Sequence, residues 1–151
     1  MPAPLRVGLI GTGRIGQVHA ANIAANSDTT LAYIADPFID GARTLAEAHG
    51  AKVTTDAASL ITSHEVDAVV IASPTPTHVD LISQALDAGV PVLCEKPIDL
   101  DITRVDALRQ RVATAGIPIV LGFNRRFDPA FAEVRARVAS GEIGQLEQLT
   151  I

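Results

Sequence analysis

A doubly wound, parallel α/β sheet is the fold class that the sequence predicts, and three observations predict it. Short β-branched runs alternate with longer stretches of helical period, the mark of repeated βαβ units. The apolar weight, 48% of 151 residues, falls on Ala, Val, Ile and Leu, while aromatic residues make up only 3% and Trp is absent. Such a composition suits strands covered by helices on both faces. Finally, a glycine-rich turn stands directly behind the first β-branched run.

The elements follow in order. Strands are expected at Leu5 to Ile10, Thr30 to Ala35, Ala51 to Thr54, Asp67 to Ala72, Pro91 to Cys94 and Pro118 to Leu121. A helix from Ile15 to about Ala25 follows the first strand. Behind the fourth, Thr75-Pro76 supplies an N-cap residue with proline at the first helical position, and that helix closes near Gly89. The clearest helix runs from about Asp101 to Ala115, with Ile102, Val105, Leu108 and Val112 on one stripe. Asp101 can cap it, and Gly116 with Pro118 ends it. Past Leu121 the rhythm changes. Asp128-Pro129 starts a helix to Ser140-Gly141, with Phe131, Val134 and Val138 on one face, and Gln145 to Ile151 reads as a strand in which the chain stops. The six-strand pattern is complete before that point. The expected division is therefore a first domain over residues 1–122, and over 123–151 a connecting helix and the first strand of a second α+β domain whose remainder is absent.

Bulk properties exclude several classes of partner. The net charge is −5 with acids and bases interspersed, so no basic stripe offers itself to nucleic acid or anionic lipid. No apolar run approaches the roughly 18 to 20 residues of a spanning helix. Cys94 has no partner for a disulfide within the chain, and Met1-Pro2-Ala3-Pro4 lacks the basic and apolar regions of a signal peptide, so a reducing cytoplasm is the expected compartment. No His, Cys or carboxylate cluster has metal-ligand spacing, and no metal is expected.

The turn Gly11-Thr12-Gly13-Arg14-Ile15-Gly16 has the G-x-G-x-x-G pattern between a strand and a helix, the placement required of a Rossmann dinucleotide site. Gly11 permits the tight turn, Gly13 lets a diphosphate approach the backbone, and Gly16 lets helix and strand pack. N–H groups at the helix start, aided by the helix dipole, then hold the anionic oxygens. The same motif predicts an acid at the end of the second strand, and Asp36 lies there, 25 residues beyond Gly11. Its carboxylate can accept hydrogen bonds from the adenosine ribose and repel a 2′-phosphate, which favours NAD over NADP. The other reading of Asp36, followed by Pro37, is a cap for the next helix. Arg43 is the nearest downstream cation and leaves room for some tolerance of NADP.

Two further turns leave strands on the side where ligands of open α/β sheets bind. Ser73-Pro74-Thr75-Pro76-Thr77-His78 follows the fourth strand and is expected to line the cofactor site, although His78 alone reads more simply as a polar residue in a helix's first turn. Glu95-Lys96-Pro97 follows the fifth. Lys96 can polarise a substrate hydroxyl and stabilise the developing alkoxide; taken on its residues alone, an exposed lysine paired with a glutamate is the simpler account. Cys94 reads as core, and Arg125 and Arg126 read equally as ligand contacts or as a solvated pair.

The glycine turn, Asp36, the Ser73 to His78 turn and above all Glu95-Lys96-Pro97 resemble the N-terminal domain of the Gfo/Idh/MocA oxidoreductases over nearly the whole chain. Gly122-Phe123-Asn124-Arg125-Arg126-Phe127-Asp128-Pro129 is most similar to the inositol dehydrogenase branch. The resemblance implies that Lys96 is the active-site residue near the nicotinamide and that the Lys96-Pro97 bond is cis. It further implies that a second domain supplies an aspartate and a histidine proton acceptor. None of His19, His49, His64 and His78 stands at the corresponding place. It also implies homo-oligomers of the full-length protein. The expected activity is NAD-dependent oxidation of a polyol or sugar secondary alcohol, with Gly11, Thr12, Gly13, Arg14, Ile15, Gly16, Asp36, Ser73, Pro74, Thr75, His78, Glu95 and Lys96 at the cofactor. The alternative is a stand-alone dinucleotide-binding sensor, for which a lysine beside the nicotinamide has no use.

Overall fold

The computed structural model describes residues 3–150. Six parallel strands form one sheet: β1 (Leu5–Ile10), β2 (Thr29–Ala35), β3 (Lys52–Thr54), β4 (Ala68–Ile71), β5 (Val92–Cys94) and β6 (Ile119–Leu121), in the order β3-β2-β1-β4-β5-β6. Every pairing is parallel. The crossovers are carried by helices α1 (Arg14–Ala25), α2 (Ile39–His49), α3 (Ala57–Ile61), α4 (His78–Ala88) and α5 (Ile102–Ala115), and α6 (Pro129–Ser140) follows the sheet.

The period of two along each strand divides the core. Val7 and Leu9 of β1 with Val70 of β4 face Ala20 and Ile23 of α1 and Ala42 and Ala46 of α2. Ile10, Val69 and Ile71 point the other way, onto Leu60 and Ile61 of α3, Ile82 and Ala85 of α4 and Leu108 of α5. Because both faces are covered, the central strands can be apolar where they are buried, as β1 is from Val7 to Ile10 and β4 from Ala68 to Ile71.

Helix ends follow local chemistry. Asp101 caps α5 by accepting from the Thr103 N–H at 2.9 Å, and Asp128 caps α6 by accepting from the Ala130 and Phe131 N–H groups. Gly50, Gly89 and Gly116 end α2, α4 and α5 at φ of 68°, 74° and 67°, where a side chain would be strained. All three stand on the edge of the sheet where strands begin.

Three expectations are corrected. Thr75 does not cap a helix. Pro74 precedes a 3₁₀ turn at Thr75–Thr77, and α4 starts only at His78, because the paired prolines hold the intervening backbone in a tighter turn. The α5 stripe starts at Val105, since Ile102 at the helix start is 68% exposed. Residues 145–150 are not a strand, and Ile151 lies outside the described residues. A strand needs a neighbour for its backbone hydrogen bonds, and none among the described residues pairs with this segment. The α6 stripe is similarly unburied.

Arg6 and Asp67 clamp the start of β1 to the start of β4, with Arg6 donating from its backbone N–H at 2.8 Å and its guanidinium at 3.0 and 2.6 Å. The side-chain bonds first, and the backbone bond second, hold the Asp67 carboxyl down at about 2. A depressed folded-state value means that this clamp contributes above the ordinary carboxylate range and is lost as pH falls through about 2. In an NMR titration Asp67 is expected to have its midpoint near that value, and Arg6→Ala is expected to return it towards about 3.9.

Candidate active site

Every predicted site segment leaves the sheet at the carboxyl end of a strand. The glycine turn follows β1, Asp36 follows β2, Ser73 closely follows β4, Glu95-Lys96 follows β5 and Gly122 follows β6. The chain crosses from β1 to β2 on one side and later reaches β4 on the other, so the edge opens at β1. There a cleft of about 580 Å³ is lined by Gly11, Gly13, Asp36, Phe38, Ser73 and Thr77 among others.

The three glycines differ in what demands them. Gly11 has φ +96°, and a Cβ there would lie 2.6 Å from the Ser73 backbone nitrogen; at Gly16 a Cβ would lie 2.1 Å from the Gly11 carbonyl oxygen. The protein itself requires those two. Gly13 has φ −61° and no heavy atom within 4 Å of its would-be Cβ. Nothing inside the molecule requires a glycine at this position, which borders the cleft where α1 begins. No acid stands in the first turn of α1 and no side chain caps it, so its leading N–H groups have no side-chain acceptor among the described residues. A bound diphosphate fits this arrangement.

Asp36 is buried at the cleft wall. Its Oδ2 accepts from the Thr12 N–H and Oγ1, each at 2.7 Å, and its Oδ1 accepts from the Phe38 N–H at 2.8 Å. A carboxylate has about four acceptor positions, and this leaves one for a ligand hydroxyl. Asp36 caps no helix: the residue before α2 is Phe38, which has no side-chain cap. Arg14 and Ile15 are exposed at the start of α1 and do not border the cleft.

Of the turn after β4, Ser73, Pro74 and Thr77 line the cleft, while Thr75 does not. His78 is no surface residue but 1% exposed. Its ring bridges two backbone carbonyl oxygens, Nε2 to Ser73 and Nδ1 to Pro97, each at 2.8 Å. The turn after β4 is thus tied to the lysine segment after β5 from behind the site.

Glu95 and Lys96 diverge. The Glu95 carboxylate does not pair with the Lys96 ammonium; its Oε1 meets Nε2 of His19 on α1 at 2.9 Å, and its Oε2 accepts from the Lys96 backbone N–H at 3.3 Å. No carboxylate among the described residues closes on the Lys96 side chain, which lines a hollow of about 600 Å³ with Gly122, Phe123, Asn124, Arg125 and Arg126. Arg125 is partly committed, paired with Asp128 at 3.2 Å and with its guanidinium 4.9 Å from the Phe131 ring centroid. The Lys96-Pro97 bond is cis. Burial first, and the Glu95 charge second, push the Cys94 thiol up to about 12, so it remains protonated at neutral pH and acts as core. His19 was not singled out by its motif. The available signal was a histidine on the otherwise apolar face formed by Gly16, Ala20 and Ile23.

Comparison with known proteins identifies the family of the fold. The model of an oxidoreductase family with an NAD-binding Rossmann fold matches residues 5–123. Inositol 2-dehydrogenase of Rhizobium meliloti (strain 1021) is 46% identical over 147 residues, which are 97% of this chain and 44% of that protein. Among solved structures, a myo-inositol dehydrogenase from Corynebacterium glutamicum ATCC 13032 is 56% identical with a TM-score of 0.89, over 96% of this chain and 44% of the other. A scyllo-inositol dehydrogenase from Lactobacillus casei, solved with bound NAD(H) and scyllo-inositol, is 32% identical with a TM-score of 0.91, over 94% and 43%. The chain therefore spans less than half the length of the relatives it matches. With its glycine turn, strand-end aspartate and Glu95-Lys96-Pro97 segment in one Rossmann sheet, the chain belongs to the Gfo/Idh/MocA oxidoreductase family.

Proposed function

We propose that the chain is the cofactor-binding part of an NAD-dependent dehydrogenase acting on a secondary alcohol of an inositol-like polyol or sugar. The observation that carries this reading is Lys96, which leaves the sheet with no carboxylate partner among the described residues, its own neighbour Glu95 being held by His19. A sensor needs only the cleft. When bound, the nicotinamide would supply the acceptor for a hydride. The first turn of α1 holds the diphosphate, the remaining acceptor position of Asp36 takes a ribose hydroxyl, and the Lys96 ammonium orients the substrate hydroxyl and stabilises negative charge on its oxygen. The names of the relatives support the substrate class.

In this reading residues 1–122 form the cofactor domain and 123–151 lead into the substrate domain of a longer protein. The relatives' greater length and the absence of any buried residue on α6 support that division. The proton acceptor would come from that domain, and homo-oligomers from its sheet. No described helix is long and apolar enough to cross a membrane. A reducing cytoplasm suits the lone buried thiol of Cys94.

Cofactor choice tests the role of Asp36. Asp36→Ser is expected to weaken NAD binding roughly 10-fold or more, the cost of losing a hydrogen bond to a charged acceptor, and to strengthen NADP binding by removing like-charge repulsion. Calorimetric titration with both dinucleotides reads both effects, and unchanged NAD affinity would overturn the assignment.

A further inference from the structure

The contact between His19 and Glu95 joins two parts of the molecule with different tasks. His19 lies on α1, three residues beyond Gly16, in the helix whose first turn faces the diphosphate position. Glu95 immediately precedes the lysine. The two side chains meet at 2.9 Å with 20% and 14% exposure, so the contact is largely sheltered from water. Glu95 then passes the restraint on, since its other oxygen accepts from the backbone N–H of Lys96 at 3.3 Å. The space it occupies is kept by Gly122, where a Cβ would lie 3.1 Å from the carboxylate.

We infer that His19 is a positioning residue for Lys96: through Glu95 it tethers the lysine's backbone to the phosphate-binding helix and keeps the neighbouring carboxylate away from the ammonium. Two consequences follow from the bonding. The Lys96 backbone is restrained on one side through Glu95, and the Pro97 carbonyl that follows it meets the His78 ring. Its ammonium also keeps its donors available for an oxygen ligand, because no carboxylate among the described residues occupies them. An Ala at position 19 removes the tether and leaves a poorly solvated carboxylate beside the lysine.

The inference rests on Lys96 being the functional lysine, but its test reads the tether directly. The chain has only two lysines, Lys52 and Lys96, and Lys52 is paired with Glu65 at 2.6 Å, so it serves as an internal reference. After reductive methylation with ¹³C-formaldehyde, the dimethyl-Lys96 resonance of the 151-residue protein is expected to shift in His19→Ala while that of Lys52 stays in place. His19→Gln keeps a donor for Glu95 and is expected to restore the original signal. NAD affinity should stay within about threefold in both variants, because neither touches the first turn of α1. Where the protein turns over, His19→Ala is expected to lower kcat about 10- to 100-fold with KM for NAD unchanged, the size of a small misplacement of a reacting group. An unmoved Lys96 resonance in His19→Ala, or a His19→Gln signal equal to that of the alanine variant, would overturn the inference. Should His19→Ala fail to fold, Glu95→Gln carries the same measurement: its Lys96 resonance must shift while Lys52 does not, and an unmoved resonance again overturns the tether. Full hydride transfer in Lys96→Ala would instead sink the proposed function and leave the tether standing.

Discussion

Lys96→Ala is expected to lower the rate of hydride transfer by about 10²- to 10³-fold in a protein carrying the full length of its relatives, with NAD affinity almost unchanged. That magnitude is the usual cost of deleting one preorganised group that stabilises a developing oxyanion. The split between rate and affinity follows from the placement. Lys96 follows β5 and lines the hollow with Gly122 to Arg126, whereas the cleft at β1 is lined by the glycine turn, Asp36 and the turn after β4. Lys96→Arg is expected to recover little, since a planar guanidinium presents its donors in a different geometry. Single-turnover measurements of NADH formation, set beside equilibrium NAD binding, separate the two quantities. A variant that lost cofactor affinity and kept its hydride-transfer rate would place Lys96 in binding rather than chemistry.

The second large effect is a contrast within one turn. Gly16→Ala would press a methyl group against the Gly11 carbonyl, backbone that cannot yield cheaply. Overpacking of this kind costs about 3 kcal/mol, which for a chain of this size lowers the melting temperature by roughly 6 to 12 °C. Gly13→Ala places its methyl group in open space at an ordinary φ of −61°. Its stability is expected to fall by about 1 kcal/mol or less, the difference between glycine and alanine at a helix N-cap. Its NAD affinity is nonetheless expected to drop about 10- to 100-fold, because the methyl group fills the approach to the first turn of α1. Thermal denaturation and NAD titration of both variants check the contrast. Equal NAD affinity in Gly13→Ala and the unsubstituted protein would remove the diphosphate from this turn.

The sheet was legible because each strand is a short run carrying β-branched residues and bounded by turn residues, and all six fall within two residues of their expected ends. Segment 145–150 was not legible, because alternation in a sequence signals a strand only where another strand lies beside it. The cofactor cleft could be read because its parts are local: a glycine turn behind one strand and an acid at the end of the next. The lysine segment was readable only in part. Its neighbour Glu95 suggested an ion pair, whereas the partner of Glu95 is a histidine 76 residues earlier, on another element. The burial of His78 was hidden for the same reason. Its two carbonyl partners belong to Ser73 and Pro97, and only the folded sheet brings those together.

The left-handed glycines that end α2, α4 and α5 separate architecture from chemistry along the length of the sheet. Gly50, Gly89 and Gly116 are exposed, have open space around them, and stand where the chain turns back to start β3, β5 and β6. The ligand-facing turns all lie at the opposite ends of the strands. Peptide tags, fluorophores or a partner domain can therefore be spliced in next to Gly89 or Gly116 at little thermodynamic cost. That edge is the natural place to immobilise the protein on a sensor surface with its cleft presented to solution.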